Sequence, residues 1–260
     1  MNLRRMFWVF RKELNIYLTT PLAYILAGAF LVISGFMFYV LVDYFARSFS
    51  QLGQFGSQGM DLTQMIMRPF LSNLTFMFLI ITPLICMRLF SEERRHGTLE
   101  MLMTSPVTTL EIVIGKYLAG VAMNFFIFLV TLVFPVFLVI YGNPDLGPVC
   151  SGYLGVLLLI MGFVALSLFT SAITSNPLIA AMFSFGILLM LWIIGWVSFS
   201  QFGTSTWLEV VKYLSVPDHL DDFFKGVVDT KHVIYFLSLA LVGLFFTYGA
   251  VESQRWRSAS

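Results

Sequence analysis

Charge is what this chain has least of, and where it is missing says more than how much is missing. Charged residues make up 11% of the chain and apolar ones 58%, against roughly 25% and 45–50% in soluble domains. No Asp, Glu, Lys or Arg occurs from Leu14 to Val42, from Pro69 to Met87, from Tyr117 to Pro144, from Leu146 to Leu208 or from Val233 to Val251. A helix crossing ~30 Å of hydrocarbon needs about 20 apolar residues. Four of these gaps hold one span each. The gap from Leu146 to Leu208 holds two, separated by the turn signal Ser175-Asn176-Pro177. The pattern excludes an ordinary water-soluble core. It predicts an all-α, polytopic membrane protein with six transmembrane helices, at 22–42, 70–87, 117–140, 149–174, 178–199 and 233–251.

Other absences narrow the chemistry. The two cysteines, Cys86 and Cys150, provide neither a disulfide framework nor a metal spacing. No span interior carries Asp, Glu, His, Lys or Arg, which argues against a proton relay, a pump with its own relay or a charged-ring channel. There is no His-Glu-x-x-His, Gly-x-Ser-x-Gly or Cys-x-x-Cys. Gly115-Lys116 fails as a phosphate loop, because Leu110 stands where the first glycine is required and Tyr117 where Ser or Thr is required. No catalytic residue, metal ligand or cofactor site is therefore expected, and no nucleic-acid partner. On the outer side, His219, Asp221, Asp222 and His232 lie close in sequence, but their spacing fits no strong metal pattern. They read as solvated helix faces. Asn124, inside the third span, reads as a bond to a neighbouring helix. Pro83 and Pro135 read as kinks whose freed carbonyls are met by Thr82 or Thr131 or by adjacent helices.

What charge there is lies mostly on one side. Arg4, Arg5, Arg11, Lys12, Arg88, Arg94, Arg95, Lys116, Arg255 and Arg257 fall on the side of the termini; Arg47, Arg68, Lys212, Lys225 and Lys231 fall on the other. The bias toward Lys and Arg places both termini in the cytoplasm. Leu3, Met6, Phe7, Phe10, Leu14 and Tyr17 follow helical spacing, with Arg4, Arg5, Arg11, Lys12 and Asn15 opposite. Residues 1–20 thus read as an amphipathic helix on the lipid interface, its basic residues near anionic headgroups. Thr20-Pro21 reads as the N-cap and first position of the next helix.

The inner loop, 88–116, is the densest polar stretch. Thr98 to Met103 reads as a short helix with Leu99, Leu102 and Met103 on one face, stopped at Thr104-Ser105-Pro106. Thr108-Thr109-Leu110-Glu111 is a capping box that starts the helix entering the third span. Taken alone, the loop's charges are a solvated juxtamembrane run. The outer stretch 200–232 holds a second capping box, Thr206-Trp207-Leu208-Glu209, in a helix ending before Pro217. A second short helix, Asp218 to Lys225, stops at Gly226. Together they form either an outer re-entrant helical hairpin or a small soluble flap.

The run from Ser91 to Pro106, Ser-Glu-Glu-Arg-Arg-His-Gly-Thr-Leu-Glu-Met-Leu-Met-Thr-Ser-Pro, continuing to Ile114-Gly115-Lys116-Tyr117, resembles the first cytoplasmic loop of ABC-2-type permeases. Within that superfamily it is most similar to the permease of the gliding-motility-associated transporter, with the nitrous-oxide-reductase-maturation permease close behind. The outer stretch from His219 to Asp229 is also similar. The resemblance covers almost the whole chain. It implies a membrane-spanning subunit of an exporter in the bacterial inner membrane, with ATP hydrolysis in a separate ABC ATP-binding subunit. It also implies a second permease chain, alike or related. A cytoplasmic coupling helix would dock on the ATP-binding subunit through Glu92, Glu93, Arg94, Gly97, Thr98, Leu99, Glu100, Leu102, Met103, Ser105 and Pro106. The alternative is a membrane anchor or assembly component of a motility or secretion machine that moves no solute.

Overall fold

The computed structural model describes residues 2–52, 63–98, 107–142, 144–197 and 213–257, and every regular element among them is helical. Helix α1 is Leu3–Thr19 and α2 is Pro21–Leu52. A π-helical turn, Thr63–Met67, leads into α3, Arg68–Cys86, and α4 is Arg88–Arg95. Then come α5, Thr109–Val130, and α6, Val133–Tyr141. Helices α7, Leu146–Ile173, and α8, Pro177–Val197, follow. The last two are α9, Val216–Phe224, and α10, Thr230–Arg257. Six stretches of the described residues are long and apolar enough to cross a membrane: 21–48, 63–95, 109–141, 146–173, 177–195 and 230–254.

Helix α7 is the centre of the bundle. Of its most apolar window 78% is buried, against 17% for α2. Helix α2 turns Ile25, Val32, Phe36 and Tyr39 outward. Such a surface would aggregate in water and is solvated by lipid in a bilayer. Lipid is as apolar as leucine, so helices associate there through close packing of small residues. Helices α7 and α10 meet in this way: a Cβ on Gly243 would lie 2.8 Å from the backbone carbon of Ala165. Only a residue without a side chain allows that approach.

Some polar residues inside the bundle bond across to neighbouring helices. Asn124 donates to the Gly120 carbonyl (2.9 Å) and accepts from Thr82 of α3 (3.2 Å), as its sequence position suggested. Pro135 removes one donor to the Thr131 carbonyl, and the chain breaks there between α5 and α6. The Tyr153 hydroxyl of α7 donates to that carbonyl at 3.0 Å. The kink is thus met by a neighbouring helix.

Two local expectations are corrected. The Thr20 hydroxyl donates back to the Ile16 carbonyl at 2.6 Å, so it closes α1 rather than capping α2. The second short outer helix, expected from Asp218, starts at Val216, with Pro217 in its first turn and the Ser215 side chain capping it at 3.4 Å from the Asp218 nitrogen. A proline in a first turn has no amide bond to lose. Gly226 ends α9 with φ +93°. The box Thr206–Glu209 lies outside the described residues.

Candidate functional site

The two ends of the bundle differ. One carries α1, α4, the start of α5 and the ends of α7 and α10; it is called the terminal face below. The other carries the turn at 63–67, the start of α7, and α9.

A buried ionic junction forms on the terminal face from three separate parts of the chain. Helix α1 buries Val9, Glu13 and Tyr17 on one line, at the i, i+4, i+8 spacing of a single helix face. The Tyr17 hydroxyl donates to the Ile85 carbonyl at 2.9 Å, tying α1 to the end of α3. Helix α4 follows α3 after only Met87, so Leu89 and Phe90 continue the core and Glu93 lies one turn beyond. Helix α5 starts at the predicted capping box. Thr108 accepts from the Glu111 amide (3.4 Å), and Glu111 accepts from the Thr108 amide (3.1 Å). Two turns later α5 presents Lys116, which is 0% exposed. Beside it, Gly115 lets α1 approach closely: a Cβ there would lie 2.9 Å from the Val9 Cβ.

Lys116 Nζ has three oxygen neighbours, two held by hydrogen bonds and the third, on Glu93, by charge alone. They are Glu13 Oε1 at 2.7 Å, the Leu89 carbonyl at 2.6 Å and Glu93 Oε2 at 2.9 Å. The Phe90 ring lies under the ammonium with its centroid at 5.1 Å. Lys12 Nζ pairs with Glu93 Oε1 at 2.9 Å, so two ammonium groups face two carboxylates and the junction is neutral. Partial burial works against the charge on Lys12, but Glu93, with help from Glu13, raises its ammonium above the ordinary value. The junction thus fixes the interface helix, the start of the inner loop and the third span to one another. A cleft of about 410 Å3 opens beside it, framed by Lys12, Glu13, Tyr17, Ile85, Arg88 and Glu93 among others.

Of the residues singled out in sequence, Arg4, Arg5 and Arg11 are exposed on α1, and Arg11 stacks on Trp8 with its guanidinium 5.7 Å from the ring centre. Glu92 takes a bidentate pair from Arg88, at 2.8 Å for each bond. Glu93 is held inside the junction. Arg94 donates to the Ala172 and Ile173 carbonyls, satisfying the open end of α7. Gly97 ends α4 at φ +69°, and the Thr98 hydroxyl donates to the Glu93 carbonyl at 3.3 Å. Leu99, Glu100, Leu102, Met103, Ser105 and Pro106 lie outside the described residues.

Sequence reasoning missed Glu13 and Lys116 as partners. A signal was present: Glu13 falls at helical spacing among Met6, Phe10 and Tyr17, on the apolar stripe of α1. A carboxylate there needs a buried cation. His219 and His232 were read as solvated, and both are buried, at 5% and 4% exposure.

No curated protein matches this chain. The family model described as "ABC-2 family transporter protein" matches residues 7–212 of the 260, which takes in most of α1, the junction and five of the six spanning stretches. The chain is therefore a multi-pass membrane protein of the ABC-2 transporter family, a permease component of an ABC transporter.

Proposed function

We propose that this chain couples ATP hydrolysis by a separate ABC ATP-binding subunit to export across a bacterial inner membrane. The coupling element is the segment from Glu92 to Pro106. The observation that supports this reading is the buried junction of Glu13, Glu93 and Lys116. It anchors the start of that segment to the interface helix and to the third span at once. A displacement applied to the segment then moves α1 and α5 as one piece, whereas a loop hanging in solvent would dissipate it.

Leu99, Leu102 and Met103 supply the apolar face of the docking knob, and Glu92, Arg94 and Glu100 its polar rim. Both termini lie in the cytoplasm with Arg4, Arg5, Arg11 and Lys12 at the lipid headgroups. Two permease chains, alike or related, assemble with two ATP-binding subunits. The likeness of the Ser91–Pro106 and His219–Asp229 runs supports a place in the gliding-motility-associated subgroup. No catalytic group is assigned to this chain, since hydrolysis belongs to the partner.

The test is Leu99→Ala combined with Leu102→Ala. Truncating an anchoring side chain at a docking surface costs about 1–2 kcal/mol or more. Co-purification of the ATP-binding subunit should fall at least tenfold while the permease remains folded. Full retention of the partner and of transport would refute the docking assignment.

A further inference from the structure

The two buried histidines on the far face form a linked pair that the transport reading does not use. His219, on α9, and His232, in the first turn of α10, face each other with Nδ1 to Nδ1 at 2.6 Å. The other nitrogen of His219, Nε2, lies 2.9 Å from the Tyr213 carbonyl. A carbonyl only accepts, so this nitrogen carries a hydrogen. The other nitrogen of His232, Nε2, lies 2.8 Å from Asp222 Oδ2. If it donates to that carboxylate, it also carries a hydrogen.

Proton counting then decides the state of the pair. Two neutral rings with both Nε2 protonated would turn two lone pairs toward each other at 2.6 Å. That contact is repulsive. One additional proton between the two Nδ1 atoms makes it a short hydrogen bond, and the Asp222 carboxylate balances the charge. Protonating the Asp222 carboxyl and reversing its bond to His232 gives the same count, one extra proton in the cluster. A zinc ion bound by two imidazoles at about 2.0–2.1 Å in tetrahedral geometry would hold the nitrogens about 3.3 Å apart, too wide for this pair.

We propose that His219 and His232 share a single proton that latches α9 onto α10, and that either adding or removing one proton opens the latch. The surroundings define both limits. Burial, and secondarily the His232 charge, hold His219 below the ordinary histidine range, with Lys231 adding to the effect; its bond to the Tyr213 carbonyl and the charge of Asp218 oppose it. The Asp222 carboxylate stands on the His232 side of the pair, 2.8 Å from its Nε2, so the shared proton is placed nearer His232 and His219 accepts. As pH falls through the depressed value of His219, a second proton enters and two N–H groups face each other. Removal of the shared proton brings the two lone pairs together at 2.6 Å. The Tyr235 ring stacks on His219 at 3.9 Å, and its hydroxyl donates to the Leu214 carbonyl at 2.8 Å. From α3, Arg68 pairs with Asp221, which also holds Lys225. Helix α9 is in turn seated on α7, where Ser151 donates to the Phe223 carbonyl at 2.6 Å.

The chain has three histidines, which makes the count directly measurable. Full-length chain, labelled with 15N-histidine and held in lipid nanodiscs at pH 7, should show three protonated nitrogens and one acceptor from the pair. A through-hydrogen-bond coupling should connect the two Nδ1 atoms. The variant His96→Gln assigns the remaining signals. The coupling should vanish on both acidification and alkalinisation. Thermal stability should fall on both sides of the same window, and His219→Phe, which keeps a ring on Tyr235, should abolish that dependence. Two unprotonated Nδ1 atoms at pH 7 would overturn the proposal. A spectrum altered by adding a chelator would also overturn it, in favour of a bound cation. If His219→Phe does not fold, the wild-type spectrum decides alone.

Discussion

Replacing Lys116 by methionine should cost the chain about 3–5 kcal/mol of stability, read by unfolding in increasing mole fractions of SDS. Methionine is close to lysine in length and keeps the contact with Phe90, so packing changes little. What changes is the electrostatics. Glu13 is buried and loses its 2.7 Å partner, keeping only the distant Lys12 at 3.9 Å, Glu93 keeps only Lys12, and the Leu89 carbonyl loses its side-chain donor. A buried charge without its partner is the expensive outcome. Adding Glu13→Gln to Lys116→Met should recover part of the loss, because Glu93 and Lys12 still neutralise each other. Lys116→Arg should not substitute, since the three surrounding oxygens converge on one point and a guanidinium spreads its donors over a plane. A Lys116→Met variant as stable as the parent would mean that the junction does not hold α1, α4 and α5 together.

The second large effect belongs to the contact between α7 and α10. Gly243→Leu should separate the two helices, because backbone atoms of Ala165 stand 2.8 and 3.0 Å from where the Cβ would be. Backbone cannot rotate away as a side chain can. Overpacking of this kind costs about 1–3 kcal/mol or more, and here it strikes the central helix. Gly249, on the same α10, has nothing within 4 Å of its Cβ position. Gly249→Leu should stay within about 0.5 kcal/mol of the parent. A Gly243→Leu variant no less stable than Gly249→Leu would show that the close approach does not govern the site.

Much of the architecture was legible in the sequence for one physical reason. Hydrocarbon tolerates no unpaired backbone and little charge, so uncharged runs such as Tyr117 to Pro144 can only be spans. Local capping was legible too: Thr108 and Glu111 form their box, and Gly226 stops α9. Asn124 could be read because a lone amide in a span must find a neighbour. The junction was not legible, because Lys116 alone looks like a loop cation at the end of an apolar run. It becomes a core residue only when α1 brings Glu13 and α4 brings Glu93. The same holds for His219 and His232. They are separated by Gly226 and a turn, and only the packing of α9 against α10 faces the rings toward each other. Thr20 shows a smaller failure. Its hydroxyl could cap forward or bond backward, and it bonds backward to the Ile16 carbonyl, which the Thr20 amide also reaches.

The measurement that bears most directly on the central claim is affinity purification of the tagged chain from its native membranes in mild detergent, with ATPase activity assayed on the product. The account predicts an ABC ATP-binding subunit in equal amount with the permease, and hydrolysis that weakens when Leu99 and Leu102 are both alanine. Absence of any nucleotide-binding partner across several mild detergents would contradict the coupling account. It would favour a membrane anchor that moves no solute.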